Sequence, residues 1–331
     1  MGQKIRWGVL GVAKIATVKV IPAMQQGQFS EITGIASRDL GRAQEAAKAL
    51  GIPKACGSYE ELIADPDIDA IYNPLPNHLH VPWTIRAAEA GKHVLCEKPL
   101  ALSASEAKEL IAVRDATGVK MGEAFMVHTH PQWLRAIEIL HSGEIGSLRA
   151  FNFVFSYNNR DPQNIRNRAD IGGGALMDIG CYPIHTSRWV FGTEPRRVSC
   201  LIDRDPEFGT DRLASATLDY PNGQAVFLCG TQMSPYQRVQ IIGDLGLIEV
   251  EIPVNAPPDQ ETRIVIRTGL NARTETIPVC DQYTLQGDAF SRAILEDGEV
   301  PVSIEDGVRN MAVIDALFCS GESGQWETPR G

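Results

Sequence analysis

From residue 4 to residue 127 short apolar runs alternate with helical segments, and this alternation narrows the fold more than any other feature of the chain. "KIRWGVL", "EITGIASRD", "DAIYNPL", "HVLCEK" and "KMGEAFMV" read as strands. Helices are expected between them: to about Gln26, over about 39–50, from near Ser58, to about Ala90 and to Thr117. Parallel neighbours need a crossover connection, and a helix is the usual one, so the pattern predicts a parallel, doubly wound α/β sheet. Ligands bind such sheets at the carboxyl edge, where loops and helix N-termini point away from the packed core. Several predicted strands end there in polar groups: Asn77 and His80, Glu97 and Lys98, and Glu123.

The stretch "HVLCEKPLALSASEA", residues 93 to 107, carries this logic in one piece. A buried strand ends in Glu97-Lys98-Pro99 and hands over to a helix opened by Ser103 and Glu106. Each of those two side chains can reach the other residue's free backbone N–H, which makes a capping box. Lys98 then stands at a strand end, next to a proline. Two readings are open: a solvated surface lysine, the usual fate of Lys, or a rigidly held catalytic ammonium.

The first turn, "GVAKIA", reads Gly11-x-Ala13-x-x-Ala16, where a dinucleotide-binding turn has three glycines. Alanine at the third position still lets helix and strand pack closely. Alanine at the second restricts how near the backbone comes to a pyrophosphate. Without further support the turn is an ordinary strand–helix corner; as a dinucleotide site, its contacts are Gly11, Ala13 and Ile15. Support comes from the next strand, which ends in Ala36, Ser37 and Arg38, with Arg42 one helical turn on. The ribose-selecting residue of this fold stands about there, and NAD calls for Asp or Glu. A hydroxyl and guanidinium groups suit a 2′-phosphate instead. NADP is therefore expected ahead of NAD, with the bland alternative that Asp39 merely pairs with Arg38.

At 331 residues the chain is too long for one ordinary core, so two domains are expected, 1–126 and 127–331. A formal net charge of −10 argues against nucleic acid or an anionic membrane as main partner. No run of roughly 18 apolar residues offers a membrane-spanning helix. The N-terminus lacks the basic, apolar and small-residue order of a signal peptide. Met1-Gly2 suggests myristoylation, but Arg6 stands where that signal needs Ser or Thr. The seven cysteines are scattered without a C-x-x-C pair. That suits reduced thiols in a cytoplasm, with no metal site.

After Pro131 a helix is expected to about His141, and then the composition changes. "SLRAFNFVFSY", "RRVSCLIDRD", "RLASATLDYPNGQAVFLCGTQ", "RVQIIGDLGLIEVEI" and "TRIVIRTG" are strand-like and joined by turns. Asn222-Gly223 is a hairpin signal. Successive strands of this kind predict a second, mainly antiparallel domain. Two helices close the chain, about 283–297 and 303–319, the second capped by Ser303. A broad sheet with one face bare of helices exposes apolar area, so a homo-oligomer through that sheet is expected.

Between these strands lies "NIRNRADIGGGALMDIGCYPIHTSRWVFG". Gly172-Gly173-Gly174 looks like a loop entering a helix on which Asp178 and Tyr182, four apart, share a face. His185 falls near the same face. Taken alone, Tyr182 reads as a core aromatic and Asp178 as a helix acid in a local ion pair. Arg166 is either a ligand for a substrate oxygen or a surface arginine.

With "CEKPLA", "NPLPNHLH" and "GGGALMDIGCY" in hand, the chain resembles, over nearly its whole length, the glucose–fructose oxidoreductase and inositol dehydrogenase family, Gfo/Idh/MocA. The resemblance implies an N-terminal Rossmann domain and a C-terminal α+β domain on a large, mainly antiparallel open sheet, with the nicotinamide between them. It implies that Pro76, Asn77 and His80 line the cofactor site and that Glu97 and Lys98 lie beside the nicotinamide. A homodimer or homotetramer is favoured on the same ground. Tyr182, where many inositol-dehydrogenase-like members carry His, is similar to the glucose–fructose oxidoreductase, dihydrodiol dehydrogenase and sugar dehydrogenase branch. One departure concerns specificity: that branch often has Tyr-Arg before His-Pro-Gln, and this chain reads Val127-His128-Thr129-His130-Pro131-Gln132.

The implied reaction is reversible hydride transfer between a nicotinamide and a carbinol carbon of a sugar, polyol or cyclic diol. The alcohol proton needs a positioned base. A free phenol titrates near about 10, and a neighbouring ammonium lowers that by roughly 1–3 units. Tyr182 is the expected acid/base, Lys98 the ammonium, and Asp178 a group that orients the substrate hydroxyl or holds Lys98. Arg166 and His185 are the further substrate-side candidates. The competing expectations are a non-catalytic sensor of NADP or sugar, and a redox-neutral enzyme that recycles a tightly held nucleotide.

Overall fold

The computed structural model describes residues 3–330; the Met1-Gly2 pair weighed for acylation lies outside the described residues. The chain divides into two compact units, one of residues up to Thr129 with Asp281–Val308, the other of His130–Cys280 with Arg309 onward.

In the first unit β1 (Ile5–Leu10), β2 (Ser30–Ala36), β3 (Lys54–Cys56), β4 (Ala70–Asn73), β5 (His93–Cys96) and β6 (Met121–Glu123) form one parallel sheet. The order is β3-β2-β1-β4-β5-β6, so the winding reverses between β1 and β4 and opens a crevice at their carboxyl ends. Trp7, Val9, Ile35, Ile71 and Val94 are fully buried, as expected of strands covered on both faces. The sheet contains β3, which sequence reasoning did not anticipate; three residues are too few to show a pattern. Pairing along "DAIYNPL" stops at Asn73, because Pro74 has no N–H to extend the ladder.

The helix starts follow side-chain chemistry. Ser58 and Ser103 cap their helices, accepting from Glu61 N at 3.1 Å and Glu106 N at 3.2 Å. The Glu106 carboxylate accepts from Leu102 N at 2.7 Å, one residue ahead of its expected partner. Asp39 is also a cap, accepting from Arg42 N at 3.3 Å.

Residues 281–308 fold with the nucleotide-type sheet, where a division at residue 126 assigns them to the second domain. Polar contacts tie them there: Trp7 Nε1 donates to Ser291 Oγ at 3.0 Å in the core, and nearer the surface Asp288 accepts from Gln28 N and Phe29 N at 2.8 and 2.9 Å.

The second unit is built on β7 (Leu148–Asn158), β8 (Arg197–Arg204), β9 (Asp211–Tyr220), β10 (Gly223–Gly230), β11 (Gln232–Gly243), β12 (Gly246–Val250), β13 (Thr262–Thr268) and β14 (Asn271–Ile277). They form an eight-stranded sheet in the order β14-β13-β12-β11-β7-β10-β9-β8. Every neighbour is antiparallel except β7 and β10. One cross-strand row, Leu218–Ala225–Phe151–Ile241–Ile248–Ile266, is wholly buried. The neighbouring row carries Thr217, Val226, Asn152, Gln240, Glu249 and Val265 on the opposite face, since successive side chains alternate. The hairpin falls where expected, with a different role for its glycine. Pro221 and Asn222 make the loop, and Gly223 pairs with Tyr220 as the first residue of β10. A Cβ there would meet Arg149 O at 2.4 Å.

Two helices carry a wider π turn, Ala16–Val20 and Leu176–Gly180. Each precedes a proline, Pro22 and Pro183. A proline has no N–H to give and its ring crowds the carbonyl four residues back. Those carbonyls belong to Val18 and Ile179, inside the two π turns.

Candidate active site

The first unit brings a set of polar groups to the carboxyl edge of its sheet. Gly11 ends β1 with φ +82°, a left-handed backbone that favours glycine, and its N–H donates to Ala36 O at 2.8 Å. Ala13 and Ile15 follow, half-buried, at the start of the first helix. Ser37 ends β2; its Oγ accepts from Asp39 N at 3.2 Å. Arg38 and Arg42 are exposed beside it. Among the described residues neither guanidinium makes an ion pair, and Asp39 is taken up as the helix cap rather than by Arg38. A hydroxyl and two uncommitted guanidinium groups at this strand end fit a 2′-phosphate.

The loops after β4 and β5 are tied together. Asn73 donates from Nδ2 to His80 O at 3.0 Å and to Thr84 Oγ1 at 3.2 Å. Pro76 and Asn77 follow, half-buried. His80, expected among the cofactor contacts, is 1% exposed. Its Nδ1 lies 2.8 Å from Pro99 O and its Nε2 2.7 Å from Leu75 O. Its polar atoms therefore serve the two loops rather than a ligand. Burial, with the Lys98 charge as a smaller cause, holds its pKa down at about 4, so the ring is neutral and has one N–H for two carbonyls.

Lys98 sits one residue beyond Glu97, at the end of β5. Glu97 accepts from Tyr72 OH at 2.7 Å, and its N–H donates to Asn73 O at 3.0 Å. On the other side Leu100 N donates to Glu123 Oε1 at 2.8 Å. The Lys98–Pro99 bond is cis. The backbone around the ammonium is thus held from β4, β6 and the loop carrying His80.

In the second unit Asp178 lies in the π turn and Tyr182 in the helix Cys181–Phe191 that continues it. Asp178 Oδ2 receives two donors, Tyr157 OH at 2.6 Å and Arg166 Nε at 2.8 Å. The local ion pair considered for Asp178 is real, and its partner is Arg166. Tyr182 is buried, and its ring meets that of Phe155 edge-on at 5.9 Å. His185 is buried on the same helix. Burial, followed by the Asp178 charge, raises the Tyr157 pKa; the Arg166 pKa is raised first by Asp178 and then by Tyr157 and Tyr182.

Tyr157 is absent from the residues expected in the site. A signal for it existed: Phe151, Phe153 and Phe155 are the buried aromatic residues of β7, and with a period of two Tyr157 is the next position on that face. What the strand pattern does not give is the helix acid waiting at its end.

Residues 5–125 match the oxidoreductase family with an NAD-binding Rossmann fold, and residues 133–249 match the GFO/IDH/MocA C-terminal domain. The chain is similar to D-xylose 1-dehydrogenase (NADP(+)) 2 of Haloferax volcanii, at 39% identity over 323 residues, 96% of this chain and 98% of that one. Its fold is similar to that of a 3-ketoreductase from Actinomadura kijaniata solved with NADP and TDP-benzene, with a TM-score of 0.90 and 31% identity, covering 96% and 98% of the two chains. It is also similar to an aldose–aldose oxidoreductase from Caulobacter crescentus solved with glycerol, with a TM-score of 0.91 and 26% identity, covering 98% and 99%.

Proposed function

This chain belongs to the Gfo/Idh/MocA oxidoreductase family, and from that premise we propose that it oxidises or reduces a sugar CH–OH group with NADP, using Tyr182, Lys98 and Asp178 as catalytic residues. It is an NAD(P)-dependent oxidoreductase of sugars and diols, as its relatives are. The cofactor is NADP, and the Ser37, Arg38 and Arg42 side chains at the end of β2 are the groups that would hold its 2′-phosphate. The bound nucleotide supplies the hydride acceptor or donor.

The protein's own task is geometry and proton movement. In the oxidation direction the substrate O–H proton passes to the Tyr182 phenolate oxygen while the carbinol hydrogen departs as hydride. Reduction returns that proton to the new alkoxide. Lys98 stabilises the phenolate, and Asp178 orients the substrate hydroxyl. The observation that carries this reading is the fixed backbone around Lys98: Glu97 N donates to Asn73 O, Leu100 N donates to Glu123 Oε1, and Pro99 O lies against His80 Nδ1. A solvated surface lysine has no need of such support.

Lys98→Met should lower kcat by about 100-fold or more while the NADP dissociation constant stays within a few-fold. Unchanged turnover would remove the lysine from the mechanism. Tyr182→Phe should lose activity most steeply near neutral pH. A double-mutant cycle of the two tests whether they serve one step: coupled groups lose far less together than the product of the single losses.

The substrate class we propose is an aldose, free or nucleotide-linked. A panel of aldoses, inositols, diols and a nucleotide sugar, followed by absorbance of reduced nicotinamide, ranks these classes. A redox-neutral variant, in which a retained nucleotide shuttles between two sugars, is favoured by the likeness to the aldose–aldose oxidoreductase. It predicts nicotinamide fluorescence in the protein as purified. The scattered cysteines, with no disulfide among the described residues, support a reducing compartment, the cytoplasm.

A further inference from the structure

We propose that Arg166 and Tyr157 are positioning residues for the reaction, which hold the Asp178 carboxylate in one orientation and cancel its charge beside the Tyr182 phenol. The proposal rests on Tyr182 as the acid/base group.

Two donors from different elements converge on one oxygen of Asp178. Tyr157 OH comes from the end of β7 at 2.6 Å, and Arg166 Nε comes from the short turn Ile165–Asn167 at 2.8 Å. The carboxylate cannot rotate without losing both. The Asp178 side chain is only 13% exposed, while that of Arg166 is 40% exposed, so the carboxylate end of these bonds is the shielded one. The same strand face walls Tyr182: Phe155, two residues before Tyr157, packs against its ring.

The glycine run explains how Arg166 gets there. Gly174 N donates to Arg166 O and Gly173 N to Arg168 O, both at 2.9 Å. A Cβ on Gly173 would meet those two carbonyls at 2.6 and 2.7 Å. The run therefore lets the arginine turn lie against the helix start, which is a different use of glycine from a flexible loop.

A carboxylate about one helical turn from a phenol disfavours the phenolate, and a guanidinium bonded to that carboxylate removes the penalty. Other groups face this pair. Cys229 on β10 lies 3.3 Å from the Cβ position of Gly180. Asp211 on β9 accepts from Leu176 N at 2.6 Å, with a carboxyl that burial lifts to about 6. His185 lies on the same helix, and Asn310 donates to Cys181 O at 3.4 Å from the last helix. Among these, Asp178 and Arg166 form the ion pair.

The test is the pH profile of sugar oxidation in the full-length enzyme with NADP. Arg166→Met should move the rising limb of kcat/KM upward by about one pH unit or more, and Arg166→Lys should recover part of that shift. Arg166→Met combined with Asp178→Asn should bring the limb back, since the uncompensated charge is gone, even though turnover stays low. Tyr157→Phe should lower kcat several-fold with substrate KM little changed. Asp211→Asn should leave the limb in place. An unmoved limb in Arg166→Met with a KM raised tenfold makes Arg166 a substrate ligand and overturns the proposal, as does a limb that follows Asp211. Loss of the limb's dependence on Tyr182→Phe is a separate failure: it retires Tyr182 as the base whatever Arg166 does.

Discussion

At the scale of single residues, charge and burial settle roles that residue type leaves open. His130 is 1% exposed and caps the helix Pro131–His141, its Nδ1 accepting from Gln132 N at 3.1 Å. Only the neutral ring can accept there, and burial depresses its pKa from 6.5 to about 4. The unfolded chain protonates first as pH falls, so stability from this group is whole above about 6.5 and is lost as pH drops to about 4. A depression of that size corresponds to about 3 kcal/mol. His130→Asn keeps a capping acceptor and should flatten that loss. Asp211 works in the opposite sense, since its raised pKa makes stability fall as pH rises from about 4 to about 6. The comparison of denaturation midpoints between wild type and His130→Asn at each pH therefore isolates the histidine. At the cofactor end, Arg38→Ala should raise the KM for NADP by about 10- to 100-fold, the worth of one charged hydrogen bond of roughly 1.5–3 kcal/mol. Its KM for NAD should change little; equal weakening of both would mean that Arg38 does not read the 2′-phosphate.

At the scale of elements, the two π turns set where side chains point. A π turn winds fewer degrees per residue than an α turn, so Asp178 and Tyr182 are presented differently from a regular helix. Pro183→Ala restores an N–H that can close onto Ile179 O and lets the segment tighten. The expected result is a kcat lowered by about tenfold with a melting temperature unchanged or higher, because helix propensity favours alanine. A fall in kcat matched by a fall in melting temperature would mean that the proline supports packing instead. Removal of the cap in Ser103→Ala should cost about 1 kcal/mol without touching substrate KM, which thermal unfolding and steady-state kinetics together decide.

At the scale of the whole molecule, we propose that the eight-stranded sheet pairs with a second copy, giving a homodimer or homotetramer. The support is its outward row, where Val226 is 41% exposed beside Val154 and Leu228, in a groove of about 680 Å³. The Arg238–Glu249 pair, at 2.6 Å with Gln240 on the same carboxylate, also lies on this face. Val226→Arg should shift the mass measured by light scattering toward monomer at micromolar concentration. A monomer mass for the wild type would reject the pairing.

The strand–helix alternation, the capping serines and the Gly172–Gly174 run were legible in the order of residues, because each is a local rule: a period, a cap, a tight backbone. Pattern alone left Lys98, Asp178 and Tyr182 with ordinary structural readings beside the catalytic ones; the family resemblance carried by "CEKPLA" and "GGGALMDIGCY" is what nominated them. It could not say that His80 faces two carbonyls, that Asp288 fastens a late helix to the first sheet, or that Tyr157 and Arg166 meet on Asp178. Those contacts join residues far apart along the chain or on separate elements, and nothing in a local period records which side chain arrives opposite which. Distance and burial, which decide what a charge is worth, exist only once the chain has folded.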